Sequence, residues 1–529
     1  MAAQPYADIW ERVADIRGDA PAEVHGDRRI SWRDFDRRAD GIAQTLLDAG
    51  AVRQDKVANY LYNAPEYMEA FFGTVKAGLV PVNTNYRYGP DELTYLWDNA
   101  DAIAVVFHGT FTSQVDQVRS RVPKVRLWLW VDDGSGPCPD WAVPYTQAAK
   151  AATDRVVAPW GRSLDDIIMI YTGGTTGMPK GVMWRQGDLG QDRRPANANE
   201  TEDETSALPP PAVFLPACPL MHATALMTSL GNKRAGGTIV TVEGRTFDPI
   251  ELLDTIDREH VASIAIVGDA FCKPVLGALD EHPGRWTLES LRVVISSGVM
   301  WSEASKQALL RHRPTLRLHD SLGSTEAPGL GSANSSEEEV SRTASFKAGP
   351  NTRVITDDGR FAEAGSGEVG MLGRSGSIPV GYYKDPEKSA ATFRTIDGVR
   401  FTIPGDYATV DEDGTIHLLG RGSVCINTGG EKVFPEEVEE VLKEHASVHD
   451  AVVVGVPDET WGEAVVAVVE PAGSDGIDGV DEATLIEHVK ARLARYKAPK
   501  RVLTVATIGR APNGKVDYAR LKREATAVL

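Results

Sequence analysis

The sequence has few cysteines, and they are not grouped in any metal-binding or disulfide motif. Cys138, Cys218, Cys272 and Cys425 are scattered through 529 residues, without a CxxC pair or a Cys/His cluster. This spacing argues against a zinc site and against a disulfide framework. Reduced thiols in a cytosolic setting are the simplest explanation, so we expect a cytoplasmic protein.

Long apolar runs and an excess of basic residues are also missing. No apolar stretch approaches the ~20 residues that cross a bilayer, and the polar N-terminus lacks the apolar core of a signal peptide. We therefore expect no integral membrane segment, while peripheral membrane contact and assembly into a homodimer stay open. With 56 Lys and Arg against 75 Asp and Glu, the net charge is −19. This charge argues against a nucleic-acid partner, because phosphate backbones need clustered basic residues.

Alternating strand and helix patterns predict a large α/β domain. Ser31 is a candidate N-cap for an amphipathic helix that runs through Leu47 and ends at Gly50, and similar strand–helix units follow. Such alternation is typical of doubly wound sheets with helices on their faces. The polar, acidic segment 187–211 is expected to be a surface loop.

After residue 345 the pattern changes to short apolar pieces separated by Asp-Gly turns. This predicts hairpins, and hence a β-rich subdomain over residues 345–420 at the end of an N-terminal domain of residues 1–420. Residues 365–370 formally match a dinucleotide fingerprint but open no helix, so we reject a Rossmann interpretation. Residues 421–425 are the expected hinge to a small α+β domain over 426–529, with helices predicted at 435–445 and 482–496.

A stretch rich in glycine and threonine follows the apolar strand predicted at 165–171. Its members are Thr172, Gly173, Gly174, Thr175, Thr176 and Gly177, with Lys180 close behind. Glycine permits close backbone approach, hydroxyl and N–H groups donate to anions, and lysine adds a positive charge. Met178 and Pro179 separate Gly177 from Lys180, so this is not a Walker A loop. The pattern predicts a loop that holds a polyphosphate; a flexible surface loop is the alternative.

This loop resembles the phosphate-binding loop of the adenylate-forming (AMP-binding) superfamily, which includes acyl-CoA synthetases, luciferases and peptide-synthetase adenylation domains. Further segments similar to family motifs follow in the family's order at 320–326, 405–406, 420–421 and 510–517. The resemblance covers nearly the whole chain. In the hinge and at Trp184-Arg185 the chain looks most like bacterial fatty acyl-CoA synthetases, including those that handle sterol side chains.

The resemblance assigns the segment 320–326 to the nucleotide and its cation. It implies that Thr325 contacts the α-phosphate and that Glu326 binds Mg²⁺, a hard cation that prefers oxygen ligands. The family usually has an adenine-stacking aromatic residue where Leu322 stands. The remaining nucleotide-binding residues implied here are Ser297, Gly298, Asp320, Ser321, Leu322 and Gly323. From the residues alone, a helix N-cap at 324–326 and a tight turn at Gly298 are equally good interpretations.

Two pairs near the domain junction are assigned by the same resemblance. Asp406 accepts hydrogen bonds from the ribose hydroxyls, and Arg421 also reaches the ribose. The family's hinge residue is often Asp or Lys, but Ser423 stands there in this chain, and either Gly422 or Ser423 could rotate most. Gly429 and Gly430 resemble the glycine pair beside which the pantetheine of CoA passes; a hairpin turn is the alternative.

Two more residues complete the implied site. Lys515 resembles the C-terminal lysine that stabilises charge around the α-phosphorus during adenylation, although a turn lysine is usually only a solvated charge. His222 resembles the histidine beside the acyl pocket, with a packed or surface histidine as the alternative.

Together these motifs imply an acyl-CoA synthetase that uses ATP, Mg²⁺ and CoA. A carboxylic acid, expected to be a medium- or long-chain fatty acid or a sterol side-chain acid, would form acyl-AMP and pyrophosphate. The CoA thiol would then attack the acyl-AMP after the small domain swings. The alternatives are an adenylating enzyme that loads a carrier-protein thiol and a non-catalytic nucleotide or acyl sensor. Thioester formation with free CoA and pyrophosphate release would discriminate between them.

Overall fold

The computed structural model describes residues 4–172, 178–189, 208–428, 431–458, 462–472, 481–510 and 516–528. Its helices are, in chain order, α1 Tyr6–Arg17, α2 Trp32–Asp48, α3 Pro65–Lys76, α4 Pro90–Asn99, α5 Thr112–Arg119, α6 Tyr145–Ala148, α7 Ala223–Arg234, α8 Pro249–Arg258, α9 Gly268–Glu281, α10 Glu303–His312, α11 Pro386–Thr392, α12 Pro435–Lys443, α13 Glu482–Lys490 and α14 Tyr518–Val528.

The strands alternate with these helices as far as α10 and then dominate the chain. They are β1 Pro21–His25, β2 Arg28–Ser31, β3 Lys56–Tyr60, β4 Val80–Asn83, β5 Ala102–His108, β6 Leu127–Val131, β7 Val143–Pro144, β8 Ile167–Thr172, β9 Lys180–Arg185, β10 Val213–Pro216, β11 Thr238–Thr241, β12 Ser263–Ile266, β13 Val293–Ser297, β14 Arg317–Leu322, β15 Gly331–Ser335, β16 Ser345–Ala348, β17 Thr352–Ile355, β18 Gly370–Arg374, β19 Gly381–Tyr382, β20 Phe393–Ile396, β21 Val399–Thr402, β22 Asp406–Val410, β23 Thr415–Arg421, β24 Ile426–Thr428, β25 Glu431–Val433, β26 Val448–Asp458, β27 Gly462–Pro471 and β28 Arg501–Thr504.

The chain divides into two compact units by proximity. The first unit comprises Met1–Gly329, Asn334–Ser341 and Ser375–Thr402, and the second comprises Leu330–Ala333, Arg342–Arg374 and Ile403–Leu529. The predicted hinge at residues 421–425 lies inside the second unit and stays a prediction.

The first unit contains two largely parallel sheets, which confirms the predicted doubly wound α/β class. In one sheet the order is β2-β1-β11-β10-β12-β13-β14, and only the edge strand β2 runs antiparallel to its neighbour. The other sheet has eight strands in the order β19-β9-β8-β4-β3-β5-β6-β7. Its strands β5 and β6 are buried along their whole length, as expected for parallel strands covered on both faces.

The helices α1, α2 and α3 pack together around buried aromatic residues. The ring of Trp10 lies 5.0 Å from that of Phe72, and Phe35 lies 5.1 Å from Phe72. Helix α2 begins as predicted, because the Ser31 side chain accepts a hydrogen bond from the backbone N–H of Asp34. These helices fix the N-terminal part of the first unit.

A buried lysine lies among these three helices. Lys76, at the end of α3, has no exposed side-chain surface, and its Nζ lies 2.6 Å from Asp36 Oδ1, 2.6 Å from Asp40 Oδ1 and 3.1 Å from Glu11 Oε1. Burial raises the pKa of Asp40, although Lys76 opposes the change. Lys76 therefore pairs with carboxylates from both α1 and α2, of which Glu11 also pairs with Arg162 and Asp36 with Arg155.

The second unit is rich in antiparallel strands. Strand β23 pairs with β16 and β22, and β18 pairs with β22 and β17. The β22–β23 hairpin turns at the predicted Asp413-Gly414. Gly365 and Gly367 have positive φ and precede β18 rather than a helix, so the rejection of a dinucleotide fingerprint is confirmed. A separate sheet of five strands holds β24 to β28, with α12 and α14 packed against β26.

One helix of the second unit is shorter than predicted. The pattern predicts a helix over 482–496, but α13 ends at Lys490. The backbone N–H groups of Arg492 and Leu493 both turn back to the carbonyl of Val489, which closes the helix. A short 3₁₀ turn over Arg495–Lys497 follows.

The cysteines are free thiols, and two of them are deeply buried. Burial raises the pKa of the Cys218 and Cys272 thiols to about 12, so these side chains stay protonated. Over the described ranges, none of the helices is both long enough and apolar enough to cross a bilayer.

Candidate functional site

The predicted phosphate loop joins two strands that pair with each other. Strand β8 ends at Thr172 and β9 begins at Lys180, and these two residues are direct partners in the antiparallel ladder. Gly173, Gly174, Thr175, Thr176 and Gly177 lie outside the described residues. Strand β9 was not predicted; the short apolar run Val182-Met183-Trp184, which the structure places in the strand, is the signal that could have revealed it.

The loop lysine has a carboxylate partner that sequence reasoning missed. Lys180 Nζ lies 2.6 Å from Asp385 Oδ2 and 5.8 Å from the centroid of the Tyr382 ring. The hydrogen bond from Lys180 lowers the pKa of Asp385. Asp385 also caps α11 by accepting from the backbone N–H of Lys388, and an Asp-Pro pair is a recognisable helix start.

The predicted phosphate and metal residues follow β14 in a turn. The backbone groups of Ser324 and Ala327 bond to each other at 3.2 Å, and no helix begins there, so the N-cap interpretation is wrong. A side chain at Gly323 would place its Cβ 2.9 Å from the Ala327 carbonyl oxygen, so the turn requires glycine. Strand β14 extends to Leu322, which puts Asp320, Ser321 and Leu322 in the strand.

Two side chains from the other sheet hold the Thr325-Glu326 dipeptide. Trp184 Nε1 donates to the Thr325 carbonyl oxygen at 3.0 Å. The Tyr382 hydroxyl donates to Glu326 Oε1 at 2.9 Å. Tyr382 also lies beside Lys180. The structure therefore brings the predicted residues Lys180, Thr325 and Glu326 close to one another.

The predicted adenine-side residues lie at one edge of the parallel sheet. Strands β13 and β14 pair with Ser297 opposite Ser321, so their carboxyl ends coincide. Gly298 has φ +96, and a Cβ built there would lie 3.9 Å from Thr224 Oγ1 on α7. His222 is half-buried and immediately precedes this helix. The adenine-side segment and the start of α7 are therefore neighbours.

Asp320 is a buried carboxyl with only a distant cation. Its Oδ2 lies 4.0 Å from the Nζ of Lys306, which is itself buried and donates to Ser341 Oγ at 2.7 Å. Burial raises the pKa of Asp320 to about 7, opposed by Lys306. Burial also lowers the pKa of Lys306. The charged form of Asp320 is therefore disfavoured in the folded chain.

Replacing Asp320 with asparagine should change how stability depends on pH. The folded pKa lies above the usual value of 3.8, so the folded state binds more protons and wild-type stability falls as pH rises toward about 7. Asparagine does not titrate, so the variant does not lose stability in this way. The free energy of unfolding of the variant minus that of the wild type should therefore rise by about 2 kcal/mol from pH 5 to pH 8. Urea unfolding at both pH values measures the difference. Ser321→Ala is the non-titrating control, and an equal difference at both pH values would contradict the raised pKa.

The second unit brings together the two predicted ribose residues. Asp406 and Arg421 are opposite each other in the β22–β23 ladder, and Asp406 is buried. Gly405 has φ +102 and its carbonyl accepts from the N–H of Gly422, so the turn before Asp406 requires glycine. A carboxylate such as that of Asp406 can accept hydrogen bonds from both hydroxyls of a ribose.

The remaining predicted residues, Gly429, Gly430 and Lys515, lie outside the described residues. Strands β24 and β25 pair on either side of the glycines, with Thr428 opposite Glu431. Arg510, which precedes the lysine segment, donates to both carboxylate oxygens of Asp450 at 2.6 and 2.9 Å.

The Glu326 carboxylate and the Lys180 ammonium of the first unit fit a nucleotide that arrives with its own divalent cation. Among the residues that the structure describes, no group of three or more His, Cys, Asp and Glu side chains could hold a metal ion. Glu326 offers one carboxylate, and Mg²⁺ commonly combines one or two carboxylates with phosphate oxygens and water. Lys180, which pairs with Asp385, is the predicted cation for the phosphates.

Family comparisons agree with this geometry. The family model described as AMP-binding enzyme matches residues 10–383, and that described as AMP-binding enzyme C-terminal domain matches residues 437–515. The chain belongs to the AMP-binding enzyme family.

Curated relatives match along nearly the full length. A medium/long-chain-fatty-acid–CoA/3-oxocholest-4-en-26-oate–CoA ligase of Mycolicibacterium smegmatis is 38% identical, over 97% of this chain and 95% of its own length. A 3-oxocholest-4-en-26-oate–CoA ligase of Rhodococcus rhodochrous is also 38% identical, over 97% of this chain and 94% of its own. Among solved structures, ATP-bound MatB of Rhodopseudomonas palustris is 26% identical with a TM-score of 0.81, and 99% of each chain is covered.

Proposed function

We propose that the protein is an AMP-forming acid–CoA ligase for a medium- or long-chain fatty acid or a sterol side-chain acid. The observation that carries this proposal is the 38% identity to a ligase for such acids over 97% of the chain. The arrangement of Lys180, Thr325 and Glu326 in the first unit supports it, because these groups suit a polyphosphate and its cation.

The first half-reaction joins the acid to AMP. The carboxylate attacks the α-phosphorus of ATP, the P–O bond to the β-phosphate breaks, and pyrophosphate leaves. Lys180 holds phosphate oxygens, Thr325 contacts the α-phosphate, and Lys515 stabilises the charge that develops on it. Mg²⁺, held by Glu326 and the phosphates, would neutralise phosphate charge.

The second half-reaction passes the acyl group to CoA. The thiol attacks the acyl carbonyl carbon, the bond to AMP breaks, and AMP leaves. Rotation about residues 421–425 would withdraw Lys515 and let pantetheine pass beside Gly429 and Gly430. Asp406 and Arg421 hold the ribose through both steps.

An acid panel tests this function. The purified chain is mixed with ATP, Mg²⁺ and fatty acids of increasing length, or a 3-oxo-sterol acid, and pyrophosphate and acyl-CoA are measured. We expect acid-dependent pyrophosphate release and thioester formation with free CoA. Pyrophosphate without a CoA thioester would instead favour a carrier-protein acceptor, and release with none of the acids would favour a sensor.

His222 is proposed to line the acyl pocket, because it precedes the helix that lies against Gly298. His222→Ala should change the ratio of kcat/KM between a medium-chain acid and a sterol acid by about 10-fold, the scale of a local change in an apolar pocket. Competition between the two acids measures the ratio. His312→Ala, at an exposed ion pair with Asp280, is the control. An unchanged ratio in His222→Ala would remove His222 from the pocket.

Location and assembly remain predictions. The scattered free thiols continue to favour a cytoplasmic setting. Homodimer formation would appear as a doubled mass by sedimentation, and a monomer at working concentration would exclude it.

A further inference from the structure

One short segment contacts both charged groups of the first unit's candidate site. Strand β19, Gly381–Tyr382, pairs antiparallel with β9, the strand that begins at Lys180. From this segment Tyr382 reaches Glu326 at 2.9 Å, and Asp385 reaches Lys180 at 2.6 Å. The lysine and the glutamate are thus linked through residues that no motif had assigned.

Tyr382 is held firmly enough to act as a fixed donor. Only 7% of the residue is exposed, its backbone N–H donates to Ser389 Oγ at 2.8 Å, and its ring lies 5.6 Å from that of Phe393. The orientation of Tyr382 is therefore set by its surroundings and not by Glu326 alone.

The hydrogen bond has a direct consequence for Glu326. A glutamate side chain rotates about three bonds, and a donor fixed at Oε1 restricts that rotation. The carboxylate keeps further lone pairs for a cation. Outer hydrogen bonds of this kind commonly orient carboxylates that bind metal ions.

We propose that Tyr382 is a positioning residue for the adenylation half-reaction, acting by orienting the Glu326 carboxylate toward the cation that accompanies ATP. The inference rests on the proposed function and assigns Tyr382 no contact with the substrate. It predicts that the hydroxyl group matters chiefly when the divalent cation is present.

The test compares two neighbouring tyrosines. Tyr382→Phe removes only the hydroxyl that reaches Glu326. Tyr383→Phe removes a hydroxyl that donates to Asp101 at 2.7 Å, and so serves as the matched control. Titration calorimetry, without an acid substrate, measures ATP affinity for each protein with Mg²⁺ and with EDTA.

We expect Mg²⁺ to tighten ATP binding by the wild type and by Tyr383→Phe. Tyr382→Phe should lose about 10-fold of that gain, the usual effect of removing an outer-shell partner, while ATP affinity in EDTA changes less than about 2-fold. In a Glu326→Gln background, the Tyr382→Phe change should add nothing further, because the two residues act as one unit.

The outcomes separate the inference from the function. A full Mg²⁺ gain in Tyr382→Phe, or an equal loss with and without Mg²⁺, would overturn the inference while leaving the ligase proposal intact. An additive effect in the Glu326→Gln background would also overturn it, because it would indicate a general structural role. If the wild type releases pyrophosphate with none of the acids, the proposed function fails first.

Discussion

Replacing Lys515 with alanine is expected to slow acyl-AMP formation by at least ~10²-fold, as loss of one preorganised charge donor does in other active sites. The second half-reaction should stay largely intact, because thioester formation no longer builds charge on the α-phosphorus. Rapid-quench measurement of acyl-AMP gives the first rate. Supplying the variant with synthetic acyl-AMP and CoA gives the second.

Lys522→Ala is a suitable control for this experiment. Lys522 is a half-exposed lysine of the same unit, on α14, and its Nζ lies 2.8 Å from Glu463 Oε1. Its loss should leave both half-reactions within about 2-fold, since exposed ion pairs contribute little. Normal adenylation in Lys515→Ala, or equal slowing of both steps, would remove Lys515 from its assigned role.

The residues that flank the lysine segment make defined contacts within the second unit. Arg510 bonds to Asp450 before the segment, and the Tyr518 hydroxyl donates to Glu439 Oε1 at 3.4 Å after it. Glu439 is buried and also accepts from the backbone N–H of Val453. Both contacts therefore lead to strand β26, directly through Asp450 and indirectly through Glu439 of α12.

Lys76→Met is expected to lower the free energy of unfolding by about 3–5 kcal/mol, because it leaves the buried Asp40 carboxylate without its lysine. Glu11 and Asp36 keep Arg162 and Arg155 as partners. The ammonium of Lys76 lies within 3.1 Å of Glu11, Asp36 and Asp40. The loss should be smaller at pH 5 than at pH 8, since protonation relieves the unpaired charges. Urea unfolding followed by tryptophan fluorescence at both pH values measures the free energy of unfolding.

The matched control is Lys124→Met. Lys124 also contacts two carboxylates, of Asp98 and Asp101, but 47% of its side chain is exposed. Its replacement should cost at most about 1 kcal/mol, because water screens the pairs. Equal losses in both variants would show that burial of Lys76 is not the source of its effect.

Much of the fold was predictable because its signals are local. The Ser31 cap, the apolar run that becomes β8, and the Asp-Gly turns of the second unit depend on neighbours within a few residues. The phosphate loop and the Thr325-Glu326 pair were assigned from their order, which resembles that of a known family, and their roles stay predictions.

The contacts that position these residues were not predictable. Trp184 and Thr325 are separated by 141 residues, Tyr382 and Glu326 by 56, and Lys180 and Asp385 by 205. No periodicity connects positions so far apart, because sheet pairing brings them together only in the folded chain. Strand β9 was missed for a different reason, since it begins directly after the Gly/Thr-rich loop and its apolar run, Val182-Met183-Trp184, is short.

Because Thr172 pairs directly with Lys180, the segment between them can be replaced without removing the pairing of β8 with β9. The ladder between β8 and β9 closes its ends, and closure entropy changes only slowly with loop length, by about 0.6 kcal/mol per doubling. An Asn-Gly turn grafted between these strands would therefore leave the sheet assembled. We expect such a chain to fold but to bind ATP weakly, because it lacks the loop proposed to hold the polyphosphate. It would serve as the negative control for nucleotide titrations.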